Sequence, residues 1–363
     1  MAGSSSTKIW RALGLMSGTS MDGIDVAALA TDGERQVAAG PALTVPYPDD
    51  FRDRLRSVLG GNGPVADVEA ELTRLHAAAV AEFRRRHPDV GIDLVGFHGH
   101  TILHRPTEGR TWQIGDGALL VRLTRIDVVG DFRSADVASG GEGAPLAPLY
   151  HAALAAARPK PLAVLNLGGV ANVTWIGPGD NDILAFDTGP GNALIDDWAR
   201  RHTGRAADYG GALARAGRAS ATYVAGFLEH PFFARRPPKS LDRDDFRDCL
   251  PEALGPADGA ATLTEMTAAA VAAARRHFPA PPREFLICGG GRHNPALMAA
   301  LARRLATPVN PVEAAGWDGD VLEAQAFAYL AVRSIRGLPL SLPATTGAPS
   351  PICGGRMFRA AAG

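Results

Sequence analysis

Apolar positions along this chain recur with two different periods, and the period switches several times. Residues 8–16 and 24–31 are short apolar runs on either side of a polar loop, which predicts two strands joined by a turn, and residues 36–45 add a third. From 65 to 87 the spacing becomes helical: Val65, Val68, Leu72, Leu75, Ala79 and Phe83 share a face, with charges between them. "DLVGFHGHT" (93–101) predicts a short buried strand ending in a polar turn. Residues 115–124 predict a helix, and "IDVVGDF" (126–132) a strand running into a Gly-Asp turn.

The strand–turn–strand pattern then restarts. "LAVLNLGGVANVTWIG" (162–177) repeats it, and "ILAFDTG" (183–189) supplies the next strand. Helices are predicted at 192–203, in broken form over 209–229, and at 262–277, 294–305 and 320–336. "EFLICGGG" (284–291) is a buried strand ending in three glycines, and "RRPPKSLDRDD" (235–245) reads as an exposed charged loop. Strands alternating with helices predict an α/β architecture. Two copies of the opening pattern predict two related halves, residues 1–150 and 151–363, with the C-terminal helix and tail returning to the first.

Composition narrows the function classes. A chain of 363 residues exceeds the ~150 of a typical domain, and its hydrophobic fraction of 46% supports a sizeable core. The net charge of −1 supplies no basic field for nucleic acid or an anionic membrane. Cys249, Cys288 and Cys353 match neither a zinc site nor a disulfide framework, which fits a reducing compartment. The opening residues lack a signal-peptide run, and no stretch reaches the ~20 apolar residues of a membrane span. A cytoplasmic location is the expectation.

Several turns carry candidate chemistry. "GLMSGTSMDGID" (14–25) combines glycines, hydroxyls and two aspartates. Its backbone N–H groups could form an anion-binding concavity, and Asp22 and Asp25 could hold Mg²⁺ directly or through water. A polar hairpin tip is the plainer alternative. Gly168 and Gly169, with Asn172 beyond them, form the counterpart turn in the second half. Gly289, Gly290 and Gly291 end an apolar strand before Asn-Pro opens a helix, a flat surface suited to a nucleobase or sugar, or else a tightly packed turn. Asp187, in "FDTGPGN", ends an apolar strand where a carboxylate could take a proton. His98 and His100, two residues apart, would share one strand face, though a metal site would need further ligands. "VVGDFR" supplies Arg133, whose planar fork suits a carboxylate or phosphate. No GxSxG or Ser-His-Asp pattern supports a nucleophilic hydrolase.

Taken in order, "GLMSGTSMDGID", "HGHT", "QIGD", "VVGDFR", "GGEGAPL", "LNLGGVANV", "DTGPGN", "PKS", "CGGGRHNP" and "LPATTGA" resemble the anhydro-N-acetylmuramic acid kinase family over residues 9–358. The resemblance implies a two-domain, actin-like ATPase fold of the duplicated ribonuclease H-like type, with an interdomain cleft. It also implies use of ATP and Mg²⁺, with 1,6-anhydro-N-acetylmuramic acid as substrate. The product would be N-acetylmuramic acid 6-phosphate, in bacterial peptidoglycan recycling. The family's ATP-binding segment corresponds to Gly18, Thr19, Ser20, Met21, Asp22, Gly23, Ile24 and Asp25, and its catalytic base to Asp187. The sugar side corresponds to His98, Thr101, Asp131 and Arg133, and Glu323 is a further carboxylate for the cleft. The family usually has Gln where His100 and Glu142 stand here. Family members are often homodimers. Two other readings are a levoglucosan-type anhydrosugar kinase and a non-catalytic nucleotide or sugar sensor on the same fold.

Overall fold

A computed structural model describes residues 8–18, 21–179, 181–242 and 245–361. The chain forms two compact units. One runs to Ala157 and resumes at Val321; the other is Arg158–Asp320.

The first unit holds a six-stranded sheet built from β1 (Trp10–Met16), β2 (Gly23–Thr31), β3 (Val37–Pro46), β4 (Leu94–Phe97), β7 (Val128–Gly130) and β13 (Arg356–Phe358), in the order β13-β7-β4-β1-β2-β3. β1, β2 and β3 form an antiparallel meander, and β4 and β7 continue the sheet in parallel from β1. A small hairpin, β5 (His100–Arg105) with β6 (Arg110–Ile114), stands apart from this sheet. The second unit repeats the plan with β8 (Leu162–Leu167), β9 (Val170–Ile176), β10 (Ile183–Pro190), β11 (Phe285–Cys288) and β12 (Val309–Pro311). Its order is β10-β9-β8-β11-β12, again a meander followed by two parallel strands. The two α/β units thus share one duplicated topology. The central strands β4, β8 and β11 are apolar and buried nearly throughout, as parallel strands covered on both faces require.

The helix Leu322–Ile335 lies directly on the first sheet. A Cβ placed on Gly14 would stand 1.7 Å from the Ala324 carbonyl oxygen, and one on Gly96 would stand 2.2 Å from that of Phe327. Only glycine on β1 and β4 admits this approach. The helix is also tied down by polar contacts: Tyr150 Oη donates to Gln325 Oε1 (2.9 Å), and Tyr329 Oη to the Glu34 carbonyl (2.8 Å).

Several elements depart from the sequence reading. "DLVGFHGHT" does not make one strand. The backbone turns at Gly99, φ +71°, so β4 joins the main sheet and β5 starts the small hairpin. His98 and His100 therefore do not share a strand face. The helix expected at 262–277 begins earlier, with Pro256 at its first turn, and runs to Ala274, with a short 3-10 turn after it. The helix Asp49–Ser57, the hairpin β5–β6, and the edge strands β12 and β13 carry too few apolar positions to announce themselves. Finally, 235–245 is not simply an exposed loop, since Lys239 is only 3% exposed.

Four histidines of the first unit are buried: His76, His98, His100 and His151. Burial lowers His76 and His100 to about 4 and His151 to about 3. Each binds a proton more readily when unfolded. The stability these neutral rings contribute is complete above pH 6.5 and is lost as pH falls toward 4. At pH 5 the loss is on the order of 1–2 kcal/mol for each ring. Thermal melts should therefore show the first unit losing stability steeply between pH 6.5 and 5; a flat profile would contradict the buried-neutral assignment. A second test concerns the helix contact. G14A should cost about 3 kcal/mol or more, lowering the melting temperature by roughly 6–12 °C. Gly226, with nothing within 4 Å of an added Cβ, provides the contrast: G226A in the helix Ala221–Leu228 should be neutral or stabilising.

Candidate active site

In the first unit the candidate phosphate loop is the connection between β1 and β2. Met16 pairs with Asp25, and the Gly18 carbonyl accepts from Met21 N–H at 3.0 Å, closing a turn in which Met21 takes φ +55°. Thr19 and Ser20 lie outside the described residues. The Ile24 side chain is fully buried in the core and Met21 nearly so, which restricts both to backbone contact with any ligand. Gly23 sits where a Cβ would meet the Val45 carbonyl at 2.5 Å. Asp22 is exposed, and Asp25 accepts from Thr44 Oγ1 at 2.6 Å. Both carboxylates act on the Tyr47 hydroxyl, which burial and their charge raise above its ordinary value. Tyr47 donates to Ser17 Oγ (2.8 Å), and Ser17 Oγ contacts His100 Nδ1 (2.9 Å). His100 thus braces the base of the loop.

The sugar-side candidates divide. His98 and Arg133 meet: His98 Nδ1–H donates to the Gly99 carbonyl (3.0 Å), and its Nε2 accepts from Arg133 Nε (3.1 Å). Burial and the guanidinium together hold the His98 imidazole well below its ordinary range, so it is the neutral acceptor that this geometry needs. Arg133 Nη1 donates to the Gly143 carbonyl at 2.7 Å, and the guanidinium carbon stands 6.0 Å from the Phe327 ring. Glu323, at the first turn of its helix, has its carboxyl raised above the usual carboxylate range by desolvation, a shift the Arg133 guanidinium partly offsets. Thr101 sits on β5, where Gln113 Nε2 donates to it at 3.2 Å. Asp131 is exposed at the end of β7 with φ +54°.

Sequence reasoning passed over Asp136, which is 2% exposed. Its Oδ1 accepts from Gly143 N–H (2.7 Å), and its Oδ2 from Thr346 Oγ1 (2.6 Å) and from Ser341 Oγ. The closing "LPATTGA" stretch therefore holds the loop whose carbonyl buttresses Arg133. A lone Asp after "GDFRSA" gives no sign of this in sequence.

In the second unit the Gly168–Gly169 turn joins β8 to β9. Their carbonyls accept from N–H groups of Asn192 (2.7 Å) and Gly191 (2.9 Å). Register places Asn166, Asn172 and Asp187 opposite one another on β8, β9 and β10, which puts three polar side chains in a row. Asp187 is 8% exposed, and its Oδ2 accepts from Leu241 N–H at 2.8 Å. The glycine triplet does two jobs. An added Cβ would lie 2.3 Å from Asn166 Oδ1 at Gly289 and 2.5 Å from Leu167 Cβ at Gly291, so these two serve close packing. Gly290 is exposed, with only Asn192 Nδ2 near, and alone presents open backbone.

Among the described residues no cluster of three or more His, Cys, Asp or Glu could hold a metal by itself, and no helix is long and apolar enough to cross a membrane. The chain is 59% identical to an anhydro-N-acetylmuramic acid kinase of Paramagnetospirillum magneticum, covering 95% of this chain and 98% of that one. It is 56% identical to that of Rhodospirillum rubrum, covering 97% and 95%. A family model described as anhydro-N-acetylmuramic acid kinase matches residues 10–360, and the chain belongs to that family.

Proposed function

We propose that this chain is an ATP-dependent sugar kinase that opens 1,6-anhydro-N-acetylmuramic acid with water and phosphorylates O6, giving N-acetylmuramic acid 6-phosphate in cell-wall recycling. The observation that carries the reading is Asp187. In a chain matched to the family over residues 10–360, it is a fixed carboxylate beside Asn172 within the apolar strand β10.

Asp187 takes a proton from the attacking water as its oxygen bonds to C1. The C1–O6 bridge breaks, and O6 takes the γ-phosphoryl group, releasing ADP. Transfer of this kind relies on position and charge stabilisation more than on covalent help from the protein. The backbone of 18–25 and of 168–169 serves the phosphates, with Gly290 beside the nucleoside. Arg133, oriented by His98 and Gly143, meets the lactyl carboxylate, whose burial without a cation would be costly. His98, Thr101 and Asp131 complete the sugar side.

Mg²⁺ is the metal this reading implies. Asp22, in the turn, and Asp25, near the start of β2, are hard oxygen donors that would hold it. The ion would supply neutralisation of charge on the phosphates. The reading also includes a cytoplasmic location and a homodimer.

Two substitutions test these roles. D187N should fold and bind ATP as the parent does, yet lose at least about a thousandfold in kcat; turnover close to the parent's would remove Asp187 from the chemistry. R133A should raise the KM for the anhydromuramic substrate by roughly 10–100-fold, the worth of a charged hydrogen bond, with the KM for ATP unmoved. An unchanged sugar KM would assign the lactyl group elsewhere and favour an anhydrosugar that lacks it.

A further inference from the structure

Strand β10 lies at the free edge of its sheet, so its outward N–H groups need partners. At Asp187 that partner is the Lys239 carbonyl, which accepts the Asp187 N–H at 2.9 Å. Two residues on, Leu241 N–H donates to the Asp187 side chain at 2.8 Å. Residues 239–241 therefore grip Asp187 by backbone and carboxylate together.

What holds that segment is the Lys239 side chain. Its ammonium is buried, donates to the Phe232 carbonyl at 3.0 Å, and stands 4.1 Å from the Phe232 ring centroid and 5.9 Å from that of Phe186. Phe186 precedes Asp187 on β10. A lysine is costly to bury, and a surface segment needing only an anchor could use an apolar residue. The charge itself has a use here.

We propose that Lys239 is a positioning residue for Asp187: its ammonium pins residues 239–241 to the strand edge and supplies the buried positive charge that keeps the Asp187 carboxylate ionised. The charged groups around it are consistent with this. Arg276 and Arg235 press on Lys239 with like charge, and Asp187 is the carboxylate that opposes them. His277, which packs edge-on to Phe186, is itself lowered by burial and by Lys239, Arg276 and Arg236. Burial and the two arginines bring Lys239 down to about 8, so it remains mainly charged at neutral pH. The inference rests on Asp187 being the base.

K239M removes both charge and tether, K239Q keeps a donor for the Phe232 carbonyl without the charge, and D187N is the control. The readouts are kcat/KM against pH for the anhydromuramic substrate at saturating MgATP, and the melting temperature. In K239Q and K239M the acid limb should move up by about one pH unit, so that kcat/KM on that limb falls by up to about tenfold and recovers to the parental plateau as pH rises. A merely structural lysine would lower the melting temperature without moving the limb. A parental acid limb in folded K239Q overturns the proposal, even if K239M fails to fold. If D187N turns over normally, the base assignment fails first and the role of Lys239 falls with it. If D187N is inactive while the limb stays put in K239Q, only the role of Lys239 is lost.

Discussion

The first unit depends on two missing side chains. Gly14 and Gly96 let the helix Leu322–Ile335 press its backbone onto β1 and β4, closer than any Cβ would allow. The setting of His98 and Arg133 follows from that depth. The helix carries Phe327 in to meet His98 at 4.4 Å between ring centroids and Phe132 at 5.2 Å. His98 in turn accepts from Arg133, and Glu323 one turn earlier comes within electrostatic reach of the same guanidinium. A helix held further off would leave Arg133 without the ring and acceptor that orient it.

The candidate groups of the two units use burial differently. In the first, burial keeps imidazoles neutral so that they can accept or brace: His98 for Arg133, His100 for Ser17 and the loop behind it. In the second, burial is used on a charge. Lys239 sits over an aromatic ring with Asp187 as the opposing carboxylate. Neutral rings cost little to bury once each has a partner, whereas a buried ammonium needs a carbonyl, a ring face and a counter-charge to persist. Both arrangements fix the direction of a group before any ligand arrives, which is the condition for electrostatic stabilisation without reorganisation.

The duplicated meanders, the glycine turns and the apolar strand that carries Asp187 were legible because each depends on local periodicity or a local turn; that β10 runs on past Asp187 to Pro190, through a register shift, was not. The rest depends on contacts between distant residues. "FHGHT" reads as one strand since its residues all favour extended backbone; only the pairing of β4 with β1, and of β5 with β6, shows the corner at Gly99. Of the three glycines at 289–291, sequence cannot say that two answer to Asn166 and Leu167 and one to open space. Lys239 was hidden in a segment whose Pro and Arg content reads as solvated, and Asp136 is a node only because residues 341 and 346 return to it. The family resemblance identified the chemistry; it did not show what holds the groups still.

The glycine contact also bears on how the protein comes to exist. Gly14 and Ala324 stand more than three hundred positions apart, and the whole second unit is made between them. Chains emerge from the ribosome amino end first, and domains tend to fold as they appear. The sheet of β1, β2 and β4 must therefore wait, with its glycine-lined face uncovered, while residues 158–320 are synthesised and free to fold within the gap. Not until Leu322–Ile335 emerges can that face be closed. The segment that follows the second unit is thus the one that completes the first unit begun, and a chain cut short before residue 322 would leave the first unit's sheet exposed.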